Sequence, residues 1–422
     1  MTEQVSVWNR AVIHQPVEVY RCADSDDVRN ALQKARAADL PVSVLGGGHD
    51  WAGRAIRSGG LVIDLRGMRK VVVKDGVATV EGGATAADVI AASALAGLVP
   101  ATGTASTVGM AGLTLGGGYA PLLGTAGLAL DNLLAAEVVL ADGRVVTADA
   151  DHEPELFWAL RGGGGNFGVV TRMRVRLHPF AKVLAGSVVF PWAQAADVLA
   201  AYAGLVADAP DALTSQPLLM SAPDDGPRLF VNLTWSGDSH DGAHWFHRIE
   251  NLGRPESAVF NAVPYAMLLQ WVDDAFAPDG RHYALRTRTL PTLTSGAVES
   301  LITSTEARTS PLSAIAMHHL HGTAARVPAT ATAFAERREH FMVEIIASWR
   351  ADDNGPHREW ADTASGLLQQ HALPGGYPNL LAPDAHDQIA DAYGPNAQRL
   401  LAAKARFDPD GIFTAIPLPP GP

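Results

Sequence analysis

An α+β fold in two domains is predicted by three observations. Through residue 182, short β-type runs alternate with turns and lead into glycine-rich blocks. After His178-Pro179 the texture changes to strands mixed with Ala-rich helices, which reads as an antiparallel sheet with helices on one face, over residues 183–374. Leu373-Pro374-Gly375-Gly376 then punctuates the chain, and residues 375–422 form a returning C-terminal segment. A length of 422 residues accommodates this plan at roughly 100–200 residues per domain.

The elements follow in order. Residues 11–22 are extended, with Val12, Ile13, Val17, Val19 and Tyr20. Ser25-Asp26-Asp27 starts a helix whose Val28, Leu32 and Ala35 share a face. Residues 42–44 form a short buried strand, and residues 61–65, 71–73 and 78–80 are further short strands. Residues 84–96 are helical and stop at Gly97. The block 102–118 is too glycine-rich for a regular element. Residues 138–146 form a hairpin about Asp142-Gly143, because Asp-Gly tolerates the positive φ of a tight hairpin turn. A short helix covers 155–160. Residues 169–177 alternate apolar Met173, Val175 and Leu177 with Arg172, Arg174 and Arg176, the pattern of a half-exposed strand. Beyond them, strands are expected at 186–190, 229–235, 315–320 and 341–349, with helices at 192–207, 297–305 and 358–370.

Composition limits the functions available. Hydrophobic residues make up 47% and charged residues 18%, an ordinary globular balance. A net charge of −12 argues against nucleic acid or an anionic membrane as partner. The single cysteine, Cys22, excludes an internal disulfide and a cysteine-based metal cluster. Residues 1–10 lack the apolar core of a secretory signal, and no run of ~18 apolar residues exists, so a soluble cytoplasmic protein is expected.

The stretch around which the chain is organised is Gly46-Gly47-Gly48-His49-Asp50-Trp51-Ala52-Gly53, directly after the strand at 42–44. Read alone, it is either a surface turn or a concavity of backbone N–H groups that takes an anion such as phosphate. A nicotinamide fingerprint would place the glycines between a strand and a long helix, with an acidic residue ~20 positions on. No such helix follows His49 here. Two further glycine blocks do follow: Thr107-Val108-Gly109 through Gly112-Leu113 to Leu115-Gly116-Gly117-Gly118-Tyr119, and Arg161 through Gly165 to Gly168-Val169-Val170-Thr171.

These blocks, with Asp131-Asn132 and the tail motif Tyr377-Pro378-Asn379, resemble the berberine-bridge-enzyme-like branch of the vanillyl-alcohol-oxidase flavoproteins. The resemblance covers nearly the whole chain and is thinnest over residues 215–321. It implies a two-domain FAD-binding fold: a flavin domain over 1–182, an antiparallel-sheet substrate domain over 183–374, and a segment at 375–422 that folds back on the flavin domain. It also implies FAD bound covalently through His49. Many members carry a second link from a cysteine ahead of the Thr-Val-Gly run. Ala105 stands there, so a monocovalent flavin is expected, with a lower potential and a more open site. Relatives often carry Arg where Leu45 precedes the glycines, so a cation near the phosphates is missing at that position.

The resemblance assigns cofactor contacts to Gly46, Gly47, Gly48, His49, Asp50, Gly53, Thr107, Val108, Gly109, Gly112, Leu113, Gly116, Gly117, Gly118, Gly168, Val169, Val170, Tyr377 and Asn379. Val108 matches a position that gates oxygen, and valine there goes with oxidase behaviour. Glu344 lies in an alternating run that puts Met342, Glu344, Ile346 and Ser348 on one face. By itself it is either on a solvated sheet face or buried with a raised pKa. The resemblance makes it the catalytic base, with Tyr119 and Tyr377 as catalytic partners and Trp51 on the substrate side. In the run His318-His319-Leu320-His321, His319 and His321 share a strand face and are expected to reach the substrate pocket. No carboxylate lies at useful spacing for a metal site.

Together these imply an FAD-dependent oxidase of a small molecule, with hydride leaving to flavin N5, Glu344 taking a proton, and molecular oxygen reduced to hydrogen peroxide. The Ala- and Gly-rich composition fits a bacterial chain and a secondary-metabolite substrate. The same motifs leave open a dehydrogenase with another acceptor or a flavin-dependent oxygenase of polyketides. A flavin carrier without turnover is the non-enzymatic alternative, against which Glu344 and Tyr119 argue.

Overall fold

The computed structural model describes residues 5–180, 182–222, 226–275 and 280–421. Its first layer is a small parallel sheet in which Leu61–Asp64 lies between Glu18–Arg21 and Val42–Leu45. The helix Ser25–Ala37 covers it. Asp24 caps that helix by accepting from the Asp27 N–H at 3.0 Å, and Val28, Ala31, Leu32 and Ala35 form its buried stripe. The strand Val42–Leu45 ends directly on Gly46, so the sheet aims the first glycine loop.

A second, antiparallel sheet runs in the order Val71–Lys74, Val77–Glu81, Val169–His178, Leu133–Val139, Val145–Ala148, with Val99–Pro100 bridging to Val169–His178. The Asp142-Gly143 turn closes the last pair, with Gly143 at φ 84°. One expectation for this region is corrected. The block 102–118 contains a regular element, the helix Met110–Gly116. Its glycines are tolerated because Met110, Ala111, Thr114 and Leu115 are buried, and packing outweighs intrinsic propensity in a seven-residue helix.

The third sheet has seven antiparallel strands in the order Ser257–Pro264, Lys182–Pro191, Pro227–Trp235, Leu213–Ser221, Ala314–Leu320, His340–Trp349, His282–Leu290. Alternation along each strand divides its two faces. Val188, Phe190, Leu229, Val231, Ile315, Met317, Val343 and Ile345 pack under the helices Ala195–Val206, Ser295–Glu306 and His357–Gln369, through Leu199, Tyr202, Leu301 and Trp360. The intervening residues face the two smaller sheets.

Three of the seven strands lie outside the predicted set. Leu213–Ser221 contains Pro217, which argues against an inner strand because it lacks an N–H. Ser257–Pro264 is an edge strand with mostly exposed residues, and His282–Leu290 is buried on both faces, so neither shows a clean alternation. The helices Ser239–Glu250 and Tyr265–Ala275 also lie outside it.

The C-terminal helix Ala397–Phe407 packs beside Pro154–Gly163, with Leu400 and Phe407 in one core with Leu156 and Leu160. The Lys404 ammonium donates to Asn166 O at 2.8 Å and Phe413 O at 2.6 Å, so the tail closes onto the third glycine block. Among the described residues, no helix is long and apolar enough to cross a membrane.

Candidate active site

A cavity of about 890 Å³ lies between the glycine loops and the free face of the seven-stranded sheet. The strand Val42–Leu45 delivers Gly46, Gly47 and Gly48 to its wall, the second block delivers Thr107, Val108, Gly109, Gly112 and Leu113, and the third delivers Gly164, Gly165, Gly168, Val169 and Val170. The first two loops touch each other. A Cβ on Gly47 would stand 2.1 Å from the Gly109 nitrogen, so only glycine permits that approach.

The group that the sequence implies fits this wall. The cavity is long, lined by bare backbone and by Val44, Leu65, Val108 and Val170, and a Cβ on Gly112 would meet nothing within 4 Å. Arg54 supplies a buried guanidinium nitrogen, Nη1, that has no hydrogen-bond partner within the protein. Its Nε is held by Asp50 at 2.7 Å, and its Nη2 donates to Asn379 O at 3.4 Å. Among the described residues it is the one arginine or lysine on the wall. Leu45, by contrast, is fully buried with Val7, Ile56 and Val62 and lies off the cavity. Sequence reasoning missed Arg54; the signal was an arginine five residues after His49.

His49 Nε2 lies 2.8 Å from the Thr107 hydroxyl, across the junction of the two loops. Burial pushes its pKa down to about 4, so the imidazole is neutral at neutral pH. Trp8 stacks on its ring at a centroid distance of 5.4 Å. Ala105 is also on the wall, and the adjoining Ser106 N–H donates to Asp273 at 3.0 Å. Cys22 is remote, buried beside Tyr20, with its thiol pushed up to about 12 by burial.

Four glycines take a role other than the one predicted. Gly53, Gly116, Gly117 and Gly118 do not line the cavity. Gly53 has φ 79° and its Cβ would strike Val12. A Cβ on Gly116 would overlap the Asn379 amide, and one on Gly117 would stand 2.4 Å from the Tyr377 ring. These two glycines therefore seat Tyr377 and Asn379, which do line the cavity. The Gly118 N–H and the Asn379 amide donate to the Tyr377 oxygen at 2.8 and 3.0 Å. Burial raises Tyr377 to about 12, so it keeps its own proton to donate.

Across the cavity, Glu344 faces inward with Met342 and Ile346, as the alternation predicts, while Ser348 is fully buried away from it. The histidine beside Glu344 is His318, whose Nε2 is 3.4 Å from Oε2 of the carboxylate. Gln216 holds the same imidazole, with its amide nitrogen 3.0 Å from Nε2. The sequence pointed instead to His319 and His321. His319 touches the wall but is stacked between Phe341 and His321, with centroids 4.7 Å from each, and burial pushes it to about 3. His321 packs against Gly124 and lies off the cavity. Of the two, His319 lines the cavity and His321 does not; His318 reaches Glu344 because it shares the sheet face of Ala316, the register partner of Glu344.

Trp51 is on the wall, 5% exposed, and its indole donates to Leu380 O at 3.2 Å. Tyr119 is there too, but its hydroxyl is 2.8 Å from His340 Nε2, so it presents a ring edge. Among the described residues, no group of three or more His, Cys, Asp or Glu could hold a metal.

The paired glycine loops and the sheet that carries Glu344 and His318 enclose one cavity, and comparison with known proteins shows what the chain is similar to. Residues 16–149 match the family described as FAD binding domain. (R)-6-hydroxynicotine oxidase of Paenarthrobacter nicotinovorans is 29% identical over 97% of this chain and 92% of its own length. The crystal structure of 6-hydroxy-D-nicotine oxidase from Arthrobacter nicotinovorans superposes with a TM-score of 0.87 at 26% identity, over 97% of this chain and 93% of that one. The BBE-like 1 structure of Physcomitrella patens has the same fold, with a TM-score of 0.88 at 21% identity over 99% and 94%. The protein is an FAD-linked oxidoreductase. Its fold is that of the vanillyl-alcohol-oxidase-type flavoproteins, and its structural neighbours include BBE-like proteins.

Proposed function

We propose that the protein is a monocovalent FAD oxidase of a small organic molecule, of the secondary-metabolite kind. The observation that carries this reading is the pair Glu344 and His318 on one wall of a cavity whose other wall is formed by the His49 and Tyr377 loops. FAD, when bound, takes a hydride from a substrate C–H bond and passes both electrons to oxygen, which leaves as hydrogen peroxide.

The chain's own residues supply the rest. When Thr107 accepts from Nε2–H, the neutral His49 keeps a lone pair on Nδ1, the nitrogen that would hold the cofactor covalently. Glu344 takes the proton of the substrate O–H or N–H as the neighbouring C–H bond gives up its hydride, so an alcohol leaves as a carbonyl compound. That role requires hydrogen-bond reach, which the cavity wall permits. His318 fixes the carboxylate from the adjoining strand. Tyr377 donates a hydrogen bond to the substrate oxygen and orients it. Trp51 and the Tyr119 ring exclude water from the reacting end. Gly46 to Gly48, Asp50 by way of Arg54, Thr107 to Gly109 and Gly168 to Val170 would hold the cofactor, and the small Val108 side chain would leave oxygen access to it.

The test is paired. The acid-precipitated protein is expected to stay yellow, and His49→Ala to lose that colour. Chemically reduced enzyme is expected to reoxidise rapidly in air with one peroxide per flavin. Slow reoxidation together with fast turnover on an artificial acceptor would overturn the oxidase in favour of a dehydrogenase, and a colourless pellet from the unaltered protein would overturn the covalent link.

A further inference from the structure

The cavity face of the large sheet is striped. Ser187, Asn232, Gln216 and His318 stand opposite one another across four neighbouring strands. The pairs are Ser187 with Asn232 and Asn232 with Gln216, and the Leu218–Ala316 pairing sets Gln216 against His318. All four line the cavity. The next row, two residues along each strand, is Val189, Phe230, Leu218 and Ala316, and it ends at Glu344. A hydrogen-bonding stripe therefore runs beside an apolar one, both perpendicular to the strands, and both finish at the acid–base pair.

The length of the stripe follows from sheet geometry. Three strand spacings of about 4.8 Å give ~14 Å from His318 to Ser187, a little more than the end-to-end length of three linearly fused six-membered rings, which leaves room for hydrogen bonds at the ends. The Ser187 hydroxyl is buried and has no partner within the protein, so the far end of the stripe is left for a ligand to satisfy. Neither stripe contains Lys or Arg, so a carboxylate or phosphate would find no counter-charge here.

We propose that the striped face selects an elongated, uncharged molecule about three fused rings long, with oxygens along one edge and hydrocarbon along the other, its oxidisable carbinol at Glu344. This rests on the reading of Glu344 and His318 as the reacting end. A sugar chain of equal length, with hydroxyls on both edges, would have to desolvate one edge against Val189, Phe230 and Leu218 without hydrogen bonds, which costs affinity.

The experiment is an absorbance titration of the FAD-loaded protein with 1,8-dihydroxyanthraquinone, and a calorimetric titration with cellotriose. The first has three linear rings, with three of its four oxygens on one edge. It has no carbinol, so its binding is read whether or not Glu344 acts as a base. Saturable binding of the anthraquinone, about tenfold weaker in Asn232→Leu and Gln216→Leu, with no cellotriose binding, is the expected result. Should either leucine variant fail to hold FAD, the alanine variant at that position takes its place. Failure of the anthraquinone to bind, equal or tighter binding of cellotriose, or an affinity that neither variant changes would each overturn the proposal.

Discussion

The Tyr119 hydroxyl donates to Nε2 of His340 across 2.8 Å, and the other side of the imidazole fixes that direction. His340 Nδ1 lies 2.7 Å from Arg338 O, and a carbonyl can only accept. Nδ1 therefore carries the proton of the neutral ring, and Nε2 is the acceptor. Tyr119→Phe leaves that buried nitrogen without a donor. The expected cost is about 1–3 kcal/mol of stability, read from denaturant midpoints at constant m-value. A loss well under 1 kcal/mol would mean that water enters to replace the hydroxyl.

Acid should weaken the fold before any carboxylate pair is protonated. Burial holds His340 near about 4 and His319 near about 3, so both are neutral in the native state. The unfolded chain binds protons at these residues below pH ~6.5, where the native state does not. Stability is thus full above that pH and falls from there down to about 4 for His340 and about 3 for His319, by up to ~1.4 kcal/mol per pH unit for each residue. Unfolding free energies at pH 7.5, 6 and 5 check the slope. His319→Gln should make it shallower, and an unchanged slope would exclude His319 as a source.

Arg337 and Asp131 form a buried two-pronged pair at 2.8 and 2.9 Å, with side chains 3% and 10% exposed. The pair ties the segment before the strand His340–Trp349 to the turn after the second glycine block. Asp131→Asn leaves a guanidinium buried without its counter-charge, at an expected cost of about 3–5 kcal/mol. The double variant Asp131→Asn, Arg337→Met should recover most of that loss in a thermal or urea melt. Equal destabilisation of single and double variants would assign the effect to the Leu128 N–H, which Asp131 also accepts.

Gly47→Ala pushes two backbones apart, because its Cβ cannot coexist with the Gly109 nitrogen 2.1 Å away. The expected product is folded protein that does not retain FAD, seen as loss of the absorbance near 450 nm with far-ultraviolet dichroism preserved. Gly204→Ala is the control. Its Cβ meets nothing within 4 Å inside the helix Ala195–Val206, and the change should stabilise that helix by about 0.5–1 kcal/mol with flavin unchanged.

The glycine loops were legible in the sequence because their constraint is local: backbone must approach backbone at Gly47 and Gly109, and only one residue type allows it. Glu344 was legible through its alternation with Met342 and Ile346. His318 was not, because period two assigns neighbours to opposite faces without saying which face looks inward. That is settled by register with the strand carrying Glu344. Arg54 and the seats that Gly116 and Gly117 provide for Asn379 and Tyr377 depend on contacts more than 250 residues apart in sequence, which no local pattern encodes. The strand Leu213–Ser221 was hidden by Pro217.

The strict two-faced character of the large sheet has a practical consequence for engineering. Positions 188, 190, 229, 231, 315 and 317 pack under the helices of the sheet, while 187, 189, 216, 218, 230 and 232 line the chamber. A combinatorial library confined to the second set would re-tailor what the enzyme accepts while leaving the helix-packed face intact, and because its members are cross-strand neighbours they are varied together rather than one at a time. Natural divergence has the same freedom: new chemistry can be tried at alternate residues of a strand without endangering the scaffold that carries them.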